Sequence, residues 1–384
     1  MANATTARKI TTQSAENFGF RDKLAYGLGD FGCNMSFALK GTLTLFWTQF
    51  MGINSYVMAS LLLLVQIWDA INDPVIGALV DSDRHTYKRN KFLAYIWGNN
   101  LRGERIWIIA LGMGLIGLAC FHFMVNNTKI RVNTTITLKE DAPKFNVFRA
   151  AGHFMRNRAA VGATLAPVGN FIGMYGATVA SQIMFQSYFK NAQISGLISQ
   201  IAYIGTFLYM PFIAKIVKRF GKKEAITAGA LLSCLAYILM LVLPITPDGK
   251  GIAMFVVCQL LNALGNGIGN CLSWSLMADA MDYEEWKFGT RNEGTTYALH
   301  SFFRKLAQGL GPSLGLVAAT MLGYNASLQA AQTPEVALNM RYLVAAMYLL
   351  GAVVQLIAYG LVFNLNKKTM AQIESDLAAR KNAQ

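Results

Sequence analysis

Runs of about 20 apolar residues recur along this chain, and they leave few folds open to it. In hydrocarbon every backbone N–H and C=O needs an internal partner, so such runs are read as membrane helices. On that length rule about nine are present, at roughly 24–50, 55–80, 105–125, 159–189, 194–214, 225–244, 251–279, 295–322 and 341–363. The composition agrees: 54% of residues are hydrophobic and only 14% are charged. A soluble domain of this length carries nearly twice that charge. The expected fold class is therefore an all-α polytopic membrane protein.

The net charge of +14 would suit a nucleic-acid partner, but the Lys and Arg residues concentrate between the apolar runs. That is the pattern of cytoplasmic loops against anionic headgroups, so the expected partner is the lipid bilayer and no nucleic acid. Arg84, Lys88, Arg89 and Lys91 follow the second run. Lys215, Lys218, Arg219, Lys222 and Lys223 follow the fifth, and Lys367 and Lys368 follow the last. Each group is expected on the cytoplasmic side, with both termini there too. The segment up to about Asp22 is polar and lacks a charged-then-apolar leader, so no cleaved signal peptide is expected. The five cysteines lie in apolar runs without a CxxC and read as small hydrophobes.

One run breaks the orientation scheme. Residues 105–125 have Arg102 and Arg105 before them, and Lys129, Arg131, Lys139, Lys144, Arg149, Arg156 and Arg158 after them. A single helix cannot leave both ends inside. Either one basic loop is forced outward, or an odd number of helices is absent between Lys91 and Arg105. A weak repeat adds a second clue. Pro74-Val75-Ile76-Gly77-Ala78-Leu79-Val80 and Pro211-Phe212-Ile213-Ala214-Lys215-Ile216-Val217 each precede a basic loop. Four helices follow the second copy and only one follows the first, which points to three helices missing near Asn99–Gly103. The expected organisation is an incomplete N-terminal half at 1–125 and a cytoplasmic linker at 126–158. A six-helix half at 159–365 and a polar tail at 366–384 follow. In the linker, Phe145, Phe148, Ala151, Gly152 and Met155 make one apolar stripe, which suits a helix on the inner membrane surface. The tail reads equally as a helix in water or as disordered.

Inside the second run lies Trp68-Asp69-Ala70-Ile71-Asn72-Asp73-Pro74. Asp69 and Asp73 are four apart and share a helix face with Asn72. An Asp at bilayer depth costs roughly 2.5–3.5 kcal/mol even on the lenient insertion scale, and it normally faces a protein-lined cavity. Two carboxylates and an amide oxygen suit a small hard cation or a shared proton. The other reading is a solvated helix end. Lys305, beside Arg304, falls inside another apolar run with His300 and Ser301 a turn before it. It reads as a partner for Asp69 and Asp73 across a cavity, as a hydrogen bonder to a polyol, or as a helix-end cation. Lys40 lies in the first run and reads equally as a binding group or as a snorkelling cation. Asp279, Asp282, Glu284 and Glu285 close the seventh run ahead of Arg291 and Glu293. They read either as a solvated end or as a gate whose acids pair with bases of the opposite half. Gly112-Met113-Gly114-Leu115-Ile116-Gly117 fits GxGxxG, but no strand precedes it, so helix packing is the better reading. Gly265, Gly267, Gly269, Gly311 and Gly315 read the same way, with Asn266 and Asn270 as interhelical hydrogen bonders. No nucleophile–base pair or metal-ligand spacing points to an enzyme or to a resident cofactor.

These residues resemble the glycoside–pentoside–hexuronide:cation symporters, the melibiose-permease-like branch of the major facilitator superfamily. The resemblance rests on Tyr26-Gly27-Leu28-Gly29-Asp30, on Trp68 to Pro74, and on Met277 to Trp286 with Arg291-Asn292-Glu293-Gly294. It also rests on Phe302-Phe303-Arg304-Lys305-Leu306, and it covers nearly all the chain. It implies a major-facilitator-type helical bundle that couples a sugar or glycoside to Na⁺ or H⁺. By that resemblance Asp69, Asn72 and Asp73 hold the cation. Asn34, Asp73, Ser301 and Lys305 meet the sugar, and Asp279, Asp282, Glu285 and Arg291 form the cytoplasmic gate. A sugar-contacting Lys-Asp pair of the family's first helix falls on Cys33 and Asn34, so the cation and one charge are lost. The family has twelve helices. Here its third to fifth are missing, together with an acid of the fourth and a basic gate partner of the fifth. The expected protein is a monomer of the plasma membrane working by alternating access. The alternative is a transport-inactive internal-deletion variant or a membrane sensor.

Overall fold

The computed structural model describes Thr44 and residues 46–82, 147–289 and 293–382. The chain divides into two units, Met1–Lys40 with Arg84–Phe145 and Gly41–Asp83 with Asn146–Gln384. All the described residues lie in the second. Asn34, Lys40, Arg291, the run 105–125 and most of the linker lie outside the described residues.

Among the described residues every regular element is helical. A π-helical turn, Phe46–Phe50, precedes α1, Ser55–Ser82. The short α2, Val147–Arg156, leads into α3, Arg158–Ser187. Then come α4, Ala192–Ser199, a 3₁₀ turn, Gln200–Tyr203, α5, Ile204–Tyr209, and α6, Ile213–Phe220. The long helices α7, Lys222–Val242, α8, Gly249–Phe288, and α9, Glu293–Met321, follow. Last are α10, Pro334–Ile357, which runs on as a π turn to Val362, and α11, Lys367–Asn382.

By length and hydropathy alone, α7, α8 and α10 with its π extension are able to cross a membrane. Helices α1, α3 and α9 have the length, at 28, 30 and 29 residues. Their sequences mix glycine, amide, hydroxyl and charged residues into the apolar run, because one face of each packs on protein. The outer faces are apolar: Leu231, Leu235 and Val242 on α7 and Leu350, Val353 and Leu361 on α10 and its extension are exposed. A water-facing surface would not carry such a belt, whereas lipid favours it.

The expected single helix at 194–214 is instead broken. The chain bends by 70° between Tyr209 and Ile213. Pro211 sits in the break. It has no N–H to donate, and its ring clashes with the carbonyl four residues earlier. Beyond the break, α6 buries no side chain and holds Lys215, Lys218 and Arg219, the form of a helix lying at the membrane interface.

Helix α3 packs against both α9 and α10, α9 packs against α1, and α7 packs against α8. Small residues permit the approach. A Cβ on Gly173 of α3 would lie 2.7 Å from the Met347 carbonyl oxygen of α10. On α9, a Cβ on Gly311 would lie 2.8 Å from the Phe171 carbonyl oxygen. The interface therefore depends on backbone contact, as membrane helices without a hydrophobic drive between them require. Gly265 meets Gly229 in the same way, whereas Gly269 has only ordinary contacts.

Polar caps fix the helix ends. Asn157 accepts from the Ala160 N–H and donates to the Ala280 carbonyl 2.8 Å away, tying the start of α3 to α8. Asp248 accepts from the Gly251 N–H at 2.8 Å and from the Thr246 hydroxyl at 2.7 Å. These bonds hold its carboxyl below the usual carboxylate range. In α2 the anchor is Phe154, outside the expected apolar stripe, while Met155 of that stripe is exposed. The tail forms a helix: Ile373 of α11 is fully buried against the core. Trp286 donates its indole N–H to Asp376 at 2.8 Å.

Candidate functional site

One acidic and one basic side chain, both partly open, meet between α1 and α9. The two helices run antiparallel and are joined at three levels one turn apart. The Ser313 hydroxyl lies 2.8 Å from the Ala59 carbonyl oxygen. A Cβ on Gly309 would lie 2.7 Å from Cγ of Gln66, so α9 rests directly on that side chain. One turn further in, Lys305 Nζ lies 3.1 Å from Asp69 Oδ2. The Gln66 amide donates to the same carboxylate oxygen at 3.3 Å. The periodicity of α1 produces this face: Met58, Ala59, Leu62, Gln66 and Ala70 are buried. Val57, Leu61, Leu64, Val65, Trp68 and Ile71 are exposed. The Asp69 side chain keeps 47% of its surface open and that of Lys305 24%.

Asn72 and Asp73 continue α1 one turn beyond Asp69, and their side chains lie outside the described residues. Ser301 lies on α9 one turn before Lys305 and is half-buried. Among the described residues, no group of three or more His, Cys, Asp or Glu gathers as metal ligands would. Arg304 turns to another side. Its guanidinium stands 4.5 Å from the Trp274 ring centre and 5.1 Å from that of Phe171, a cation–π arrangement that joins α9 to α8 and α3. His300 is fully buried, with Nδ1 2.9 Å from the Thr164 hydroxyl of α3. Asn266 and Asn270 make interhelical bonds, Asn266 with Gln355 at 3.3 Å and Asn270 with Thr206 at 3.1 Å.

A second charged cluster closes the other end of α8. Asp279 is buried and accepts from Lys222 at 2.6 Å. Lys222 opens α7, so this partner belongs to the same six-helix segment, not to the opposite half. Glu284 is buried and accepts from the Thr296 hydroxyl at 3.1 Å. Asp282 and Glu285 lie half-buried on the same helix end. Lys222 and Gln66 were not singled out as site residues from the sequence. Gln66 was findable, as an amide three residues before an intramembrane acid. Lys222 carried only its topological signal.

Long helices packed through glycine backbones, an apolar outer belt and an ion pair between two helices are the form of a polytopic helical membrane protein. The chain matches the family described as MFS/sugar transport protein over residues 25–97 and 90–367, and it belongs to that family. The match falls into two pieces that overlap at 90–97, just before Asn99–Gly103, where three helices are expected to be missing. The chain is 23% identical to an uncharacterized symporter, YjmB, of Bacillus subtilis (strain 168), over 96% of this chain and 97% of the relative. It is 23% identical to the glucuronide carrier protein homolog of Escherichia coli (strain K12), over 96% and 98%. It is 23% identical to the isoprimeverose transporter of Lactiplantibacillus pentosus, over 84% of each. The alignment with the Bacillus subtilis relative spans 457 residues, more than the 384 of this chain. The relative therefore has segments that this chain lacks, enough for three helices of about 20 residues. The N-terminal half is incomplete.

Proposed function

We propose that this protein is a plasma-membrane symporter that couples a sugar or glycoside to Na⁺ or H⁺ by alternating access. The observation that carries this reading is the Asp69–Lys305 pair, which links a helix of the first half to a helix of the second. A cation or proton at Asp69, with Asn72 and Asp73 beside it, neutralises the carboxylate. The hold of Asp69 on Lys305 then weakens, and the ammonium donates to a sugar hydroxyl near Ser301; Asn34 is the further sugar contact that the resemblance implies. Cation and sugar thus favour each other, and the linkage is reciprocal: each raises the affinity of the other by the same factor. At the cytoplasmic end Asp279, Asp282, Glu285 and Arg291 serve as the gate, and the Lys222–Asp279 pair holds one wall of it. The chain acts as a monomer with both termini inside, and no cofactor is required beyond the coupling ion. Relatives named as a glucuronide carrier homolog and an isoprimeverose transporter support glycosides as the substrate class.

The length of the alignment favours a second reading, a transport-inactive internal-deletion variant. Counterflow of labelled galactosides, xylosides and glucuronides in proteoliposomes separates the two. The assay is run on the chain as given and on one with the absent segment restored. Saturable, cation-stimulated counterflow by the chain as given supports the symporter. Counterflow by the restored chain alone supports the deletion variant. Failure of both sinks the transport assignment.

A further inference from the structure

A polar cavity lies at the end of α1 and α9 opposite the Asp69–Lys305 pair. With the basic start of α7 on the cytoplasmic side, α9 runs outward from Glu293 to Met321. The antiparallel α1 then begins at the outer surface. The cavity, about 460 Å³, sits there, between the π turn before α1 and the loop after α9. Its size lies within the roughly 300–1,000 Å³ of small-molecule pockets. Its lining includes Gln49, Tyr56, Thr320, Tyr324, Asn325 and Ser327, and no charged side chain among the described residues.

Two of these groups are held in place. The Gln49 amide donates to Gln186 at 2.7 Å and to the Tyr324 hydroxyl at 2.9 Å, and Gln186 donates back to Gln49 at 3.3 Å. Tyr324 itself is only 4% exposed. Amides and hydroxyls donate and accept in turn, and the half-exposed Tyr56 ring offers an apolar face. That combination matches a polyol with C–H faces, and it offers no counter-charge to an ion. We propose that this cavity is an outer binding site for a neutral saccharide, distinct from the intramembrane site. The proposal rests on the reading that the chain handles sugars.

The test uses the full chain, purified in detergent, with Ser327→Cys as a reporter. Ser327 is exposed at the cavity rim, so a maleimide that does not cross membranes reaches it. Labelling is read above that of the parent chain. The probes are methyl β-galactoside and methyl β-xyloside as neutral sugars and methyl β-glucuronide as a charged one. At about ten times its Kd, a neutral probe should slow labelling about tenfold, because the free fraction is 1/(1 + [L]/Kd). The slowing should persist when Asp69→Asn and Lys305→Gln are added together, and it should weaken several-fold with Tyr324→Phe. Loss of protection in the Asp69→Asn/Lys305→Gln chain would overturn the proposal, since the effect would then come from the inner site. Equal protection by the glucuronide, or none by either neutral sugar, would overturn it as well. Protection without counterflow leaves this site standing and defeats the transport reading alone.

Discussion

Asp69 has three neighbours of different chemistry: an ammonium at 3.1 Å, an amide at 3.3 Å, and open space over about half its surface. Removing the ammonium leaves an acid inside the bundle without its counter-charge. A fully enclosed acid would cost roughly 3 kcal/mol. With half its surface open, Asp69 should cost on the order of 1 kcal/mol. Lys305→Gln should therefore lower the thermal midpoint in detergent, and adding Asp69→Asn should recover most of the loss. A double variant less stable than Lys305→Gln would show that the pair contributes no compensation. In any chain that transports, Asp73→Cys should abolish cation-driven accumulation and Asp69→Cys should weaken its cation dependence. Uphill accumulation at the parent level in both would remove these acids from the coupling site.

The helices are joined by what their residues lack as much as by what they carry. Gly173 touches backbone of α10, so Gly173→Ala must push two helices apart, at about 1–3 kcal/mol. Gly152, on α2, has nothing within 4 Å of a built Cβ. There the same change should stabilise by about 0.5–1 kcal/mol, through helix propensity alone. Thermal unfolding of the two variants should move in opposite directions, and movement in the same direction would refute the close-packing account. At the start of α8, the depressed carboxyl of Asp248 gives a pH test. Its capping contribution is complete above the ordinary carboxylate range near pH 4. It fades as pH falls through the lower folded value. Hydrogen exchange at the first turn of α8, taken relative to the intrinsic amide rate at each pH, should therefore quicken below about pH 4 in the parent. In Asp248→Ala it should already be fast at neutral pH. An unchanged rate in that variant would mean that Asp248 does not hold the turn.

At the scale of the molecule, α1 carries an exposed apolar face like those of α7 and α10. Trp68 is 72% exposed and Val65 67% exposed, on either side of the half-open Asp69. Three further helices would wall one side of the N-terminal half, and without them lipid or water takes their place. Transport by the chain as given should therefore be weak or absent, and a restored segment should raise it. Topology offers a separate check. A membrane-impermeant thiol reagent should reach cysteines at Lys88 and Lys222 only from the cytoplasmic side, and should label the 126–157 loop ambiguously. A clean extracellular assignment of 126–157 with transport intact would defeat the deletion account.

Much was legible in the residues because each signal is local. Apolar runs of membrane length, basic loops between them, and acids or a lysine set inside a run declare themselves without a partner in view. The glycine faces at Gly265, Gly311 and Gly315 are of this kind. So is the parity conflict around 105–125, since charge and span length are properties of the chain itself. Partners are not. That Lys305 meets Asp69, that Lys222 meets Asp279, and that Gln49 meets Gln186 and Tyr324 depend on which helices lie side by side. The tail becomes a helix only because Trp286 and the end of α8 offer Asp376 and Ile373 a place to dock. Even Pro211, visible in the sequence, left the run at 194–214 open to a single-span reading. A proline kinks some helices and ends others, and the packing of α5 on α8 decides which. Composition and period determine what each segment needs to bury, and only the tertiary structure decides against what, because burial is a relation between segments distant in the chain.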